Sequence, residues 1–136
     1  MLEALKNSPL FWEMTEEEIN ACIKASGAQV HTCEKNEMIF TSVDVPKSAL
    51  VLIQGDILIC KATLSGRRNI FLHANKPGDV FGEVYLFMER EVYEYYSVAL
   101  QPSTVLEIPK DYFYHSCAEN CLHHTKLIRN MMRILA

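Results

Sequence analysis

The sequence predicts a mainly β protein, an eight-stranded jelly roll (a double-stranded β-helix) flanked by helices and followed by a long C-terminal helix. Three observations carry this. A capped amphipathic helix comes early, short apolar runs separated by turn residues at intervals of roughly 8–12 fill the middle, and a helical period returns after Pro109.

The opening residues, 1–13, form an apolar lead-in with Leu10, Phe11 and Trp12 available for packing. Thr15-Glu16-Glu17-Glu18 reads as a capping box, with Met14 and Ile19 as its hydrophobic staple. Three acids also suit the positive end of the helix dipole. The helix predicted over 16–26 buries Ile19, Cys22 and Ile23 and stops at Gly27, which tolerates the left-handed conformation.

The β-like runs are Gln29–Cys33, Met38–Thr41, Ala49–Gln54, Ile57–Thr63, Asn69–Ala74, Val80–Phe81, Glu94–Leu100 and Thr104–Ile108. Segments such as Asp44-Val45-Pro46-Lys47, Gln54-Gly55-Asp56 and Asn75-Lys76-Pro77-Gly78-Asp79 lie between them, each rich in residues with a turn mechanism. Beyond Pro109, Lys110–Ala118 reads as a short helix. From Asn120, the residues Cys121, His124, Ile128, Met131 and Leu135 recur at spacings of 3, 4, 3 and 4, the pattern of a helix–helix seam. Leu127 and Ile134 add a second apolar row, and a helix apolar on two sides normally has two partners. Residues 1–118 are therefore read as a β-roll with its N-terminal helix, and 119–136 as the start of a long helix with a helix–helix seam. The pattern reaches Ala136 without a stop signal, from which a longer natural chain is expected.

The chain has 136 residues, 49% hydrophobic and 22% charged, the balance of one domain with a real core. A net charge of −4 excludes nucleic-acid binding by bulk electrostatics, so any DNA contact must lie elsewhere. No apolar run approaches the ~18 residues of a membrane span, and the N-terminus lacks the order of a signal peptide. Five cysteines without paired spacing suit reduced thiols, and a cytoplasmic location is expected.

The stretch with most chemical content is Lys76-Pro77-Gly78-Asp79-Val80-Phe81-Gly82-Glu83. A Pro-Gly turn, two apolar residues and a second glycine lead to a carboxylate, so the main chain can approach a ligand closely, offer N–H groups to an anion, and present Glu83 to a hydroxyl. Together with Leu5…Leu10-Phe11, Leu50-Val51-Leu52-Ile53-Gln54-Gly55-Asp56-Ile57 and Val105-Leu106-Glu107-Ile108 leading to Phe113, this order resembles the cyclic-nucleotide-binding sensory domain of the CRP/FNR family of bacterial transcription regulators. The resemblance implies a cyclic-nucleotide-binding-domain-like roll that senses an effector without catalysis. It also implies a homodimer through the long helix, with DNA reached only through a helix-turn-helix domain that this sequence does not contain.

The departures from that pattern bear on the ligand. Members that bind cyclic AMP have an arginine and then a small residue about ten positions after the Gly-Glu pair, and here those positions hold Tyr93 and Glu94. A phenol in place of a guanidinium removes a charge-assisted contact of roughly 1.5–3 kcal/mol, and Glu94 adds a like charge facing the phosphate. Arg90 lies three residues upstream of Tyr93, and Ser42 stands where the family usually has glycine. The resemblance thus implies an effector site at Gly82, Glu83, Tyr85, Tyr93, Glu94 and Tyr95, with an aromatic or phenolic acid favoured over a cyclic nucleotide. Two plainer readings stay open: the tyrosines simply pack in the sheet, or the pocket takes no effector. The dimer seam is expected at His124, Ile128, Met131 and Leu135.

No metal or other cofactor is expected. His115, Cys117, Cys121, His123 and His124 crowd one stretch but supply no second well-spaced pair for structural zinc. His31 and Cys33 alternate onto one strand face and His73 lies on another, where haem ligation is weighed against ordinary hydrogen bonding. A cupin-like metalloenzyme would need His-x-His, which is absent. The alternative to a regulator is a free-standing ligand-binding or interaction module of the same fold.

Overall fold

The structure, a computed structural model, describes residues 1–42, 44–62, 68–86, 95–114 and 122–136. The lead-in resolves into helix α1 (Leu2–Lys6) and a 3-10 turn (Pro9–Phe11) capped by Ser8, whose Oγ accepts the Leu10 N–H. Helix α2 (Glu16–Ser26) carries the full capping box: Thr15 Oγ1 accepts the Glu18 N–H at 3.2 Å, and Glu18 Oε1 accepts the Thr15 N–H at 3.0 Å. Gly27 ends it at φ 71°. This helix is local in origin, because its start, face and stop are each specified by neighbours in sequence.

Seven strands are present among the described residues, in two antiparallel sheets. Strands β1 (Gln29–Cys33), β7 (Ser103–Pro109), β2 (Ser48–Gln54) and β5 (Val80–Phe81) form the first sheet in the order β1-β7-β2-β5. Strands β4 (Arg68–Ala74), β3 (Ile57–Ala62) and β6 (Tyr96–Ala99) form the second in the order β4-β3-β6. The expected eighth strand, Met38–Thr41, is corrected to an isolated bridge, Met38 to Val98. The physical reason is a bulge: the Ile39 N–H donates to Ser97 O at 3.2 Å while Phe40 O accepts the Ser97 N–H at 3.0 Å, so two residues oppose one and a regular register does not propagate.

Strand β2 separates two apolar layers. Ala49 and Val51 face the helices, packing with Leu106 and Ile108 against Leu5, Phe11, Ile19 and Leu127. Leu50 and Leu52 face inward, packing with Val105, Phe81, Phe40, Ile57 and Ile59 between the sheets. Buried on both faces, the Ala49–Leu52 run is continuous rather than alternating.

The end of β7 leads into α3 (Lys110–Tyr114), and the chain closes with α4 (Leu122–Leu135). Helix α4 lies on α2 and the 3-10 turn, burying Leu127 and Met131 at about 1.5–3 kcal/mol each. Asn130, also fully buried, donates from Nδ2 to the carbonyls of Leu10 and Trp12, both at 2.9 Å. Lys126 Nζ reaches Glu18 Oε1 at 2.9 Å, tying α4 to the capping box of α2. No helix among the described residues is long and apolar enough to cross a membrane.

Candidate functional site

The cradle is built by the turn before β5. Asp79 Oδ2 accepts the N–H groups of Asn75 and Lys76 at 3.1 and 3.0 Å, which closes the turn on itself. The Gly78 N–H donates to Leu52 O at 2.7 Å and the Leu52 N–H to Asp79 O at 2.8 Å, so the turn is clamped to β2. Gly78 has φ +99°, and a Cβ there would lie 2.8 Å from both Ala4 O and Ser8 N. Glycine is required at this point because the cradle passes directly over the N-terminal backbone.

Phe81 is fully buried beside Phe40, with ring centroids 6.5 Å apart. Gly82 follows at φ +75°. A Cβ there would meet Leu50 Cδ1 at 3.6 Å and Phe40 Cε1 at 3.8 Å, ordinary contacts, so its glycine is called for by conformation rather than by space. Glu83 opens a second 3-10 turn (Glu83–Leu86). Burial pushes the Glu83 carboxyl above its usual range, against a hydrogen bond from its own backbone that lowers it. Leu86 closes the turn, fully buried in the helix-side core, and its carbonyl accepts the Tyr114 hydroxyl at 2.6 Å.

Beside the cradle a cleft of about 460 Å³ opens into the roll. Its apolar wall is Ile39, Phe40, Val45 and Leu50. Its polar groups are Lys47, Ser48, Asp44 and Glu107. Phe40, Leu50 and Ser48 are also the neighbours of Gly82, so cradle and cleft are contiguous. An apolar wall with a few convergent polar groups, at this volume, is the usual form of a small-molecule site.

The expected effector residues are distributed as follows. Gly82 and Glu83 lie at the cradle. Tyr85 falls within the 3-10 turn, its side chain outside the described part of the structure, and Tyr93 and Glu94 lie outside the described residues. Tyr95 stacks on Phe71, centroids 4.5 Å apart and planes at 21°, with Lys61 Nζ 5.9 Å from its ring centroid. Lys47 and Glu107 were not anticipated as lining residues. Glu107 had a signal: two positions from Val105, it shares the inward face of an otherwise apolar strand.

The expected seam residues also separate. Met131 is 2% exposed, and His124 is buried with its ring nitrogen 2.8 Å from Tyr112 O, so both face the chain's own body. Ile128 is partly buried against the same core. The apolar side chains of α4 that face outward are Leu122, Met132 and Leu135, at 63%, 68% and 39% exposure. Of the other chemistry-bearing residues, His73 is paired with Asp56, while His115, Cys117 and Cys121 lie outside the described residues.

Residues 30–120 match the cyclic nucleotide-binding domain family. No curated protein sequence matches the chain. Among solved structures, the sensor domain of the transcriptional regulator DNR from Pseudomonas aeruginosa is 16% identical with a TM-score of 0.72, covering 98% of this chain and 79% of that one. The Thermus thermophilus catabolite activator protein is 19% identical with a TM-score of 0.75, and the match covers 94% of this chain but only 56% of that protein. The regulatory subunit of a cAMP-independent protein kinase A from Trypanosoma brucei is 16% identical with a TM-score of 0.74, covering 98% of this chain and 45% of that one. A triple mutant of that subunit, one of whose changes introduces an arginine, holds cAMP in its A site. These likenesses are of fold, and with the match over residues 30–120 they place the chain in the cyclic nucleotide-binding domain family.

Proposed function

We propose that this chain is the effector-sensing domain of a CRP/FNR-type transcription regulator, and that its effector is a small aromatic or phenolic acid rather than cyclic AMP. The observation that carries the reading is the 460 Å³ cleft contiguous with Gly82, in a chain whose clamp positions hold Tyr93 and Glu94. Its polar groups suit such a ligand: Lys47 for a carboxylate, Glu107 for a hydroxyl, and Phe40 and Leu50 for the ring. The cAMP-independent trypanosome subunit, whose cAMP-holding mutant gains an arginine, supports the same discrimination.

Signal leaves the site through the 3-10 turn. Glu83 begins it at the ligand and Leu86 ends it in the core that holds Leu127 and Met131 of α4. A ligand that binds one position of this turn better than another shifts α4 by that difference in affinity and by no more. Two copies then meet along the outward row of α4, which is Leu122, Met132 and Leu135 with Ile128 at its margin, and carry the change to DNA-binding domains supplied by further sequence.

Calorimetric titration of the purified protein with cyclic AMP and with a panel of phenolic acids tests the reading. The expected result is no heat with cyclic AMP and saturable binding of a phenolic acid, weakened by Lys47→Ala and by Tyr93→Phe. Micromolar binding of cyclic AMP would refute the assignment of the clamp positions.

A further inference from the structure

We propose that His31, Cys33 and Glu37 form a zinc-binding site at the free edge of the first sheet. A ring nitrogen of His31, the Cys33 sulfur and a Glu37 carboxylate oxygen all lie within 4.8 Å of one another. Two features of the chain bring them together. Residues 31 and 33 of β1 share a face because strand side chains alternate, and among the described residues β1 is an edge strand, paired with β7. Glu37 then returns over that face through a tight turn: Asn36 takes φ 71°, and the Glu37 N–H donates to Glu34 O at 3.0 Å.

The turn is fixed independently of any ligand. The Asn36 N–H donates to Ala99 O at 2.7 Å and the Ala99 N–H to Glu37 O at 3.0 Å, so β6 of the second sheet holds it in place. His31 Nε2 already lies 3.4 Å from Glu37 Oε2. Zinc bonds of about 2.3 Å to sulfur and about 2.0–2.2 Å to nitrogen or oxygen set tetrahedral donors roughly 3.3–3.7 Å apart. Closing the widest separation, at most 4.8 Å, to that span takes no more than about 1.5 Å of movement. Cys33 is 3% exposed and forms the floor, while His31 and Glu37 are exposed at the rim, which leaves the fourth position open to water.

The donor set selects the ion. Thiolate, imidazole and carboxylate together suit borderline zinc rather than magnesium or calcium, which prefer oxygen throughout. Thiolate and carboxylate carry two negative charges with neutral imidazole, matching Zn²⁺. On binding, the thiol proton passes to solvent as the sulfur–zinc bond forms. The ion then joins the edge of the first sheet to a turn held by the second.

The test is titration of the reduced, full protein with Zn²⁺ against a competing chelator, paired with Co²⁺ absorption. The expected result is one equivalent bound with Kd below ~1 μM and a thiolate-to-cobalt charge-transfer band. His31→Gln, at an exposed position, and Cys33→Ser should each weaken binding by more than the roughly 10–100-fold lost with an outer-shell partner. His31→Gln keeps the test valid where Cys33→Ser disturbs folding. Cys117→Ser/Cys121→Ser should leave the equivalent in place. Binding that persists in His31→Gln, binding lost in Cys117→Ser/Cys121→Ser, or a cobalt complex without the thiolate band would each overturn the proposal.

Discussion

Asn130 offers the sharpest test of how the long helix is held. Its Nδ2 donates to Leu10 O and Trp12 O at 2.9 Å each, and its side chain is fully buried. Asn130→Ala removes both donors and leaves the buried Leu10 carbonyl and the part-buried Trp12 carbonyl facing a small void. An orphaned buried acceptor costs about 1–3 kcal/mol, so the pair is expected to cost about 2–4 kcal/mol once partial relaxation is allowed. For a domain of this length that corresponds to a Tm drop of roughly 8–15 °C. Asn130→Asp separates hydrogen bonding from packing, because it keeps the volume. At neutral pH it places a carboxylate against two carbonyl oxygens and is expected to cost at least as much as alanine, with partial recovery in acid as the protonated carboxyl regains one donor. Urea unfolding followed by the fluorescence of Trp12 is the assay. Trp12 is the single tryptophan, and its ring stacks under Arg133 of α4 with the guanidinium carbon 4.0 Å from the centroid. If both variants unfold within 1 kcal/mol of the native protein, the docking of α4 does not depend on this amide and the reasoning fails.

Three further outcomes follow from the geometry. Gly55→Ala forces a Cβ to within 2.1 Å of Ser103 Oγ and 2.6 Å of Ser103 Cα at φ +122°, so a loss of roughly 2–6 kcal/mol is expected by chemical denaturation. Glu83→Gln should match the native protein below the unfolded carboxylate pKa of about 4.3. Because the folded pKa is raised, the native protein loses stability as pH rises through that range, and the variant should become the more stable of the two by neutral pH; equal melting curves at pH 7 would contradict this. Met132→Glu should yield a monomer in light scattering with melting nearly unchanged, whereas Met131→Glu buries an unpaired charge and should unfold the domain. A dimer that persists in Met132→Glu would remove the outward row from the interface.

Much of this protein was legible in its sequence, and what was legible was local. The capping box at Thr15–Glu18, the left-handed stop at Gly27 and the Pro77-Gly78-Asp79 turn depend on residues within a few positions of one another, so composition and spacing determine them. Strand periodicity marked seven of the runs for the same reason. Other features depend on partners far along the chain, and only the tertiary structure decided them. Met38–Thr41 has the pattern of a strand, yet Ile39 and Phe40 both oppose Ser97, and the bulge leaves an isolated bridge. Helix α4 has two apolar rows in the sequence, yet the structure divides the expected seam: His124 and Met131 turn inward with Leu127, on the side where Asn130 meets the Leu10 and Trp12 carbonyls, while Leu135 faces out with Met132. The cleft joins Lys47, Glu107 and Gly82 from three separate segments, and Glu37 reaches His31 and Cys33 only through a turn held by Ala99. A sequence specifies faces and turns through short-range sterics and hydrogen bonding, whereas the choice of which faces meet is settled by long-range packing and the satisfaction of buried polar groups.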